Sequence, residues 1–218
     1  LANSNEFLES TFNTINPKRQ KDVEMVLSAL SFIIFGYKDF NYPTFNLFLS
    51  STMKWINSQN FIKVKMNGRD EYNPNSDILE DLTKRFNLGL SLSLEIFGQN
   101  TFKKNENSLK KDPISKPLFE VLVCIFSNVT EEQKQRILLH KNKLVDTLYT
   151  SISKDSKDYA IWDSEIFETA DRGLYYALST STGKRVTVLY RFEAILNIIK
   201  ETTNCDIAID PLKLVGVK

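Results

Sequence analysis

The residue types that metal binding and nucleophilic catalysis require are scarce in this sequence. Among its 218 residues there is one histidine, His140, and there are two cysteines, Cys124 and Cys205, which lie far apart. One histidine cannot complete a two-histidine metal site, and neither cysteine has a second cysteine two to four residues away. We therefore expect no metal site and no redox pair. Cys124 lies in an apolar run and is predicted to be a buried free thiol, as in a protein of the reducing cytoplasm.

Motifs that cradle phosphates or expose a nucleophile are also missing. The sequence contains no GxxxxGK[ST] phosphate loop, no GxGxxG dinucleotide fingerprint and no GxSxG nucleophile elbow. The acidic pairs Glu80-Asp81 and Glu131-Glu132 fall in the first turns of predicted helices, where carboxylates stabilise the helix dipole. The sequence thus predicts no catalytic residue and no cofactor, and we expect this chain not to be an enzyme by itself.

Basic side chains form the remaining candidate site. Five lysines lie in and just after one polar loop: Lys103, Lys104, Lys110, Lys111 and Lys116. A second group, Lys184 and Arg185, opens the last predicted helix next to the polar segment at residues 179–183. Such cations make salt-sensitive, sequence-neutral contacts to phosphates, so all seven are nucleic-acid-binding candidates. A solvated surface loop is the other interpretation of the first group, and the net charge of the whole chain is only +1.

An all-α domain is expected to position these side chains. Apolar residues make up 42% of the chain and charged residues 25%, as in ordinary globular domains. Seven glycines and six prolines are few for a fold built on many tight turns, which favours helices. The sequence contains no run of apolar residues long enough to span a bilayer, so no membrane partner is predicted.

Apolar spacings of three and four residues predict six to seven helices in a single domain. The predicted helices cover residues 17–36, 45–60, 77–97, 116–127, 130–152, 160–181 and 184–199. Gly36 is predicted to end the first helix, and Thr130-Glu131-Glu132-Gln133 predicts a capping box at the start of the fifth. The fourth is apolar on nearly all sides and is expected at the centre of the bundle. Residues 61–76 do not fit a helix, and Asn67-Gly68 predicts a loop with at most a small strand pair. Arg191, in the last helix, is expected to pair with neighbours on the Glu193 side or to cap the core.

The domain organisation is predicted to be simple. Residues 1–16 form a polar lead-in with one helical turn, residues 17–204 form the helical domain, and residues 205–218 form a short tail. The chain begins with Leu1 rather than methionine and continues with polar residues. We therefore expect no signal peptide, and a chain that is processed or excised from a longer one.

The order of several short motifs resembles that in GmrSD-type restriction proteins. The stretch KRQKDVEMVL at residues 18–27, continued by ALSF at residues 29–32, is similar to the family's kRmkDvElvLRflAF helix. The other motifs follow in the family's order and are Tyr37-x-x-Phe40, Phe48-Leu49-x-x-x-Met53, Glu95-Ile96-Phe97-Gly98-x-x-x-Phe102, Pro117-Leu118-Phe119-Glu120 and Val188-x-x-Arg191-Phe192. Together they span roughly residues 17–200.

The resemblance implies which part of a longer protein this chain corresponds to. In that family an N-terminal domain carries a DGQQR-like nucleotide-binding motif and many members add an HNH-type nuclease domain, and neither signature occurs here. The chain would then be a non-catalytic helical domain of a prokaryotic defence protein, supporting an N-terminal NTPase or nuclease domain of the same polypeptide and contacting DNA. Ser28 stands where the family pattern has arginine, so any role of that arginine does not carry over. The alternative is a free-standing helical module that binds another protein.

Overall fold

The computed structural model describes residues 1–59, 62–66, 69–73, 76–107, 109, 112–159 and 172–212, and it confirms the all-α class. These residues contain nine α-helices, more than the six to seven predicted. They are α1 (Asn5–Ser10), α2 (Lys21–Phe35), α3 (Phe45–Gln59), α4 (Ser76–Phe97), α5 (Lys116–Phe126), α6 (Glu131–Leu139), α7 (Lys141–Ser153), α8 (Leu174–Ser179) and α9 (Arg185–Thr203). Of the helices described, none combines the length and the apolar character that a membrane crossing requires.

A small antiparallel strand pair lies between α3 and α4, as the sequence allows, and Asn67-Gly68 itself lies outside the described residues. Strand β1 (Ile62–Met66) pairs antiparallel with strand β2 (Arg69–Asn73), and Val64 lies opposite Glu71 in the register. The two strands form a two-stranded sheet of their own. The strand pair is therefore an addition to a helical fold and leaves its class unchanged.

Helix α2 begins later than the sequence predicts. A short 3₁₀ turn at Lys18–Gln20 comes first, and the side chain of Asn16 accepts a 2.9 Å hydrogen bond from the backbone N–H of Lys18. Gln20 then adopts a left-handed conformation with φ of 56°, which separates this turn from α2. The predicted end is confirmed, because Gly36 follows Phe35 with φ of 70°, a conformation that glycine adopts without strain.

The predicted central helix, α5, lies at the centre of the fold. Every residue from 118 to 126 is buried, and α5 contacts α2, α4 and α9. Gly89 of α4 permits this close packing, since a Cβ atom at that position would lie 2.4 Å from the carbonyl oxygen of Val123. The absence of a side chain at one point of α4 thus fixes the distance between the two helices.

The helix predicted at residues 130–152 is two helices. His140 leaves the helical region, with φ of −107° and ψ of 15°, so α6 ends before it and α7 begins after it. The predicted capping box at the start of α6 is confirmed: the Thr130 side chain accepts from the Gln133 N–H, and the Gln133 side chain accepts from the Thr130 N–H. No glycine or proline marks the break at His140, which is why apolar spacing alone missed it.

Both flanking segments pack against the helical body. In the lead-in, Phe7 of α1 is buried and its ring meets that of Phe119 edge-on at 6.1 Å. In the tail, Cys205 and Ile207 are buried as well. Residues 160–171, most of the sixth predicted helix, lie outside the described residues, and α8 covers the end of that prediction.

Candidate functional site

Members of both predicted basic groups meet around one segment of the surface. Residues 179–183 (STSTG) connect α8 to α9, and all of them except Thr182 are exposed. The segment is bordered by four of the predicted cations, Lys104, Lys116, Lys184 and Arg185. We call these four side chains, together with residues 179–183, the basic face. They come from three separate parts of the chain, and tertiary packing places them together.

Lys104 reaches the basic face from the loop after α4. Its ammonium donates a 2.9 Å hydrogen bond to the hydroxyl of Ser179, the last residue of α8. It also lies 4.8 Å from the centre of the exposed Tyr175 ring, within the range of a cation–π contact. Both partners are neutral, so the positive charge of Lys104 is not cancelled by either of them.

Lys116 lies in the first turn of α5, where it borders a small pocket. Its ammonium is 2.5 Å from a carboxylate oxygen of Glu24 and 5.0 Å from the centre of the Phe45 ring. The pocket has a volume of about 160 Å³, and Phe45, Glu120 and Thr182 are among its walls. Lys116 therefore shares its charge with Glu24, at the edge of the basic face nearest the core.

Lys184 and Arg185 are exposed at the start of α9. The backbone N–H of Lys184 donates to the carbonyl of Ser181 at 2.9 Å, which closes a turn. The hydroxyl of Thr187 donates to the same carbonyl at 2.6 Å. The Arg185 guanidinium donates to the backbone carbonyl of Phe40. The exposed segment is thus held at its α9 end by local hydrogen bonds, and the two cationic residues that follow it are exposed.

Lys103 does not belong to this surface, contrary to the sequence prediction. Only 1% of the residue is exposed, and its ammonium donates to the carbonyls of Gln99, at 2.9 Å, and Leu109. It also lies 5.0 Å from the centre of the Phe12 ring. The Lys103 ammonium is buried and hydrogen-bonded to these carbonyls, so it is not available to bind a phosphate. Lys110 and Lys111 lie outside the described residues.

A buried ion pair lies directly beneath the basic face. Arg191 of α9 is 0% exposed and Glu120 of α5 is 3% exposed, and their side chains meet at 2.8 Å. Arg191 also donates a 2.6 Å hydrogen bond to the carbonyl of Thr182. One guanidinium therefore joins the central helix, the last helix and the exposed segment.

Burial opposes the charge of both partners in this pair. It raises the pKa of Glu120, an effect that Arg191, Lys116 and the Ser28 hydroxyl counteract in that order. It lowers the pKa of Arg191, and Glu120 counteracts that shift. The sequence predicts a partner for Arg191 on the Glu193 side, whereas the structure pairs Arg191 with Glu120, 71 residues away. The available signal was one acidic residue in the otherwise apolar run at residues 118–126.

Of the other titratable residues, Glu131 and Glu132 lie in the first turn of α6 as predicted, whereas α4 begins at Ser76 and has Asp77, not Glu80 or Asp81, in its first turn. Glu80 and Glu132 form exposed ion pairs with Lys84 at 2.8 Å and Arg136 at 3.3 Å, each one helical turn away. His140 is exposed between α6 and α7. Within the described ranges, no three histidine, cysteine or carboxylate side chains come close enough together to hold a metal ion.

Comparisons of this chain with protein-family models, with curated proteins and with solved structures find no match.

Proposed function

We propose that this chain is a non-catalytic helical domain of a GmrSD-like defence protein, and that it contacts the nucleic-acid backbone through the basic face. The family part of the proposal rests on the order of the motifs between residues 17 and 200. The contact is supported by one observation above all, the placement of four cations around residues 179–183: Lys104, Lys116, Lys184 and Arg185. A separate domain of the same polypeptide would carry out the chemistry.

The chemistry of the basic face suits a phosphate backbone better than base edges. Lys104 and Arg185 bind neutral oxygens, and Lys184 is exposed, so these three cations can each approach a phosphate. The exposed hydroxyls of residues 179–181 add hydrogen-bond donors. With three phosphate contacts, the affinity for duplex DNA should fall about fortyfold as salt rises from about 50 to about 200 mM.

The test is a fluorescence anisotropy titration of a labelled DNA duplex at several salt concentrations. We expect the double variant Lys184→Gln/Arg185→Gln to bind the duplex more weakly. The slope of the logarithm of its binding constant against the logarithm of salt concentration should become shallower by about two. The matched control is Lys141→Gln/Lys143→Gln, which removes the same charge from exposed positions on α7. Absence of binding at about 50 mM salt, or an equal loss in the control, would contradict the proposal.

The alternative function is a free-standing helical module that binds another protein. It is favoured by a groove of about 790 Å³ on a different part of the surface, between α9 and residues 206–209. This groove shares no residue with the basic face, so each function can be tested without the other.

A further inference from the structure

An exposed aromatic ring borders the basic face. Tyr175 of α8 is 47% exposed, and among the described residues it is the only aromatic side chain that is exposed. Phe45, at the other end of residues 179–183, is half-buried and its ring lies 5.8 Å from that of Phe48. Within the described ranges, the Tyr175 ring contacts no second aromatic ring and its hydroxyl has no hydrogen-bond partner. Packing of the core therefore does not require a ring at position 175.

The Tyr175 ring lies next to a cation and a row of hydroxyl groups. Tyr175 and Ser179 are four residues apart on α8, so their side chains share one face of the helix. Lys104 contacts both of them: its ammonium lies 4.8 Å from the ring centre and donates a 2.9 Å hydrogen bond to the Ser179 hydroxyl. The exposed residues Thr180 and Ser181 follow directly. A flat apolar surface, a positive charge and three hydroxyl groups thus adjoin one another.

This combination matches a nucleotide whose base is unpaired. Proteins bind single-stranded nucleic acids by stacking aromatic side chains on the faces of the bases and by placing cations along the phosphates. In a duplex the faces of a base are covered by the neighbouring base pairs, and a base must leave the stack before a side chain can reach them. A duplex therefore offers the same phosphates as a single strand but no base to stack on Tyr175.

Lys104 is placed to bind the phosphate of the same nucleotide. Its two partners, the Tyr175 ring and the Ser179 hydroxyl, are neutral, and a phosphate oxygen is a stronger acceptor for an ammonium than either of them. A cation–π contact at an exposed site is also weak, so it does not prevent Lys104 from turning to a phosphate. Because the ammonium lies against the ring, a phosphate bound there brings its base close to Tyr175.

We propose that the basic face binds single-stranded nucleic acid, with one base stacked on Tyr175 and its phosphate at Lys104. This inference rests on the proposed function, and it adds the class of substrate and the residue that selects it. The exposed cations Lys184 and Arg185, at the other end of residues 179–183, contact further phosphates of the strand. Stacking does not depend on which base is present, so the strand is bound without regard to its sequence.

The test compares three labelled ligands of about 12 nucleotides by fluorescence anisotropy: oligothymidylate, a strand with abasic sites in place of the bases, and a duplex. We expect oligothymidylate to bind most tightly, and Tyr175→Leu to weaken its binding by about fivefold or more, the effect of removing one stacked base. The abasic strand and the duplex should bind equally well to the variant and to the unaltered chain. The matched control, Tyr175→Phe, keeps the ring and should keep the affinity for oligothymidylate. Both variants alter an exposed side chain, so their urea unfolding midpoints should not move.

The outcomes distinguish this inference from the proposed function. If Lys184→Gln/Arg185→Gln weakens duplex binding but Tyr175→Leu leaves oligothymidylate binding unchanged, stacking is overturned and the proposed function stands. Equal losses of all three ligands in Tyr175→Leu also overturn stacking, since the ring would then only position Lys104. Absence of binding to every ligand refutes both.

An RNA strand of the same length, oligouridylate, distinguishes DNA from RNA as the natural ligand. The strand that binds more tightly identifies the sugar, because the two differ in the 2′-hydroxyl at every position. The loss of affinity in Tyr175→Leu must appear with that strand, and its absence there overturns the inference.

Discussion

Replacing Arg191 by methionine should destabilise the fold more than any surface charge replacement. The substitution removes the guanidinium that bonds Glu120 at 2.8 Å and the carbonyl of Thr182 at 2.6 Å, and it leaves a carboxylate that is 3% exposed without its partner. Breaking one side of a buried pair costs about 3–5 kcal/mol of unfolding free energy. That is a large part of the roughly 5–15 kcal/mol typical of a domain.

The pH dependence of this variant follows from the remaining carboxyl group. Burial raises the pKa of Glu120, and removing Arg191 removes the largest opposing influence. A carboxyl whose pKa is higher in the folded than in the unfolded state binds its proton more tightly when folded. The stabilising effect of protonation is complete below the unfolded value of about 4.3 and is lost as pH rises through the folded value. The loss in Arg191→Met should therefore be smaller at pH 5 than at pH 8.

Urea unfolding followed by circular dichroism at both pH values measures these effects. The control is Arg136→Met, which breaks an exposed pair whose arginine is 43% exposed and should cost less than about 1 kcal/mol. The double variant Glu120→Leu/Arg191→Met replaces the pair by apolar groups and should recover most of the loss. The reasoning is refuted if Arg191→Met costs no more than the control, or if its loss grows as pH falls.

Three further predictions concern the contact between α4 and α5, the cap of α6 and the two buried thiols. Gly89→Ala should cost about 1–3 kcal/mol in urea unfolding, since the new Cβ would lie 2.4 Å from the Val123 carbonyl; an unchanged midpoint would contradict it. Thr130→Ala removes half of a capping box and should cost about 1 kcal/mol, whereas Thr130→Ser should cost little; equal losses would argue against the cap. Cys124 and Cys205 are buried free thiols, so a thiol reagent such as Ellman's should label them only after unfolding. Rapid labelling in native buffer would show that the packing around them opens.

The features of the fold that depend on local sequence could be predicted. The burial of α5 follows from its apolar composition, the end of α2 from Gly36, and the cap of α6 from Thr130 and Gln133. Each of these features depends on residues only a few positions apart, so a short stretch of sequence is enough to predict it. The break at His140 has no such local cause, and one helix was predicted where two exist.

The candidate site depends on contacts between residues that are far apart in the sequence. Lys103 and Lys104 are neighbours, yet one is buried among carbonyls and the other reaches Ser179, 75 residues away. Glu120 and Arg191 lie 71 residues apart. Sequence identified Lys104, Lys116, Lys184 and Arg185 as candidates, but their meeting at residues 179–183 is a result of helix packing. The groove between α9 and residues 206–209 could not be predicted from the sequence, because the tail contains no recognisable motif.

The position of α5 has a consequence for synthesis of the chain on the ribosome. Residues 118–126 have almost no polar side chain, and the native cover on one side of them is α9, which ends at Thr203. At roughly 5–20 residues per second, about 4–15 s pass between translation of the apolar segment and completion of that cover. During this interval the apolar side chains of residues 118–126 are not covered by α9. We expect residues 118–126 to be most prone to aggregation during this interval, before α9 is available to cover them.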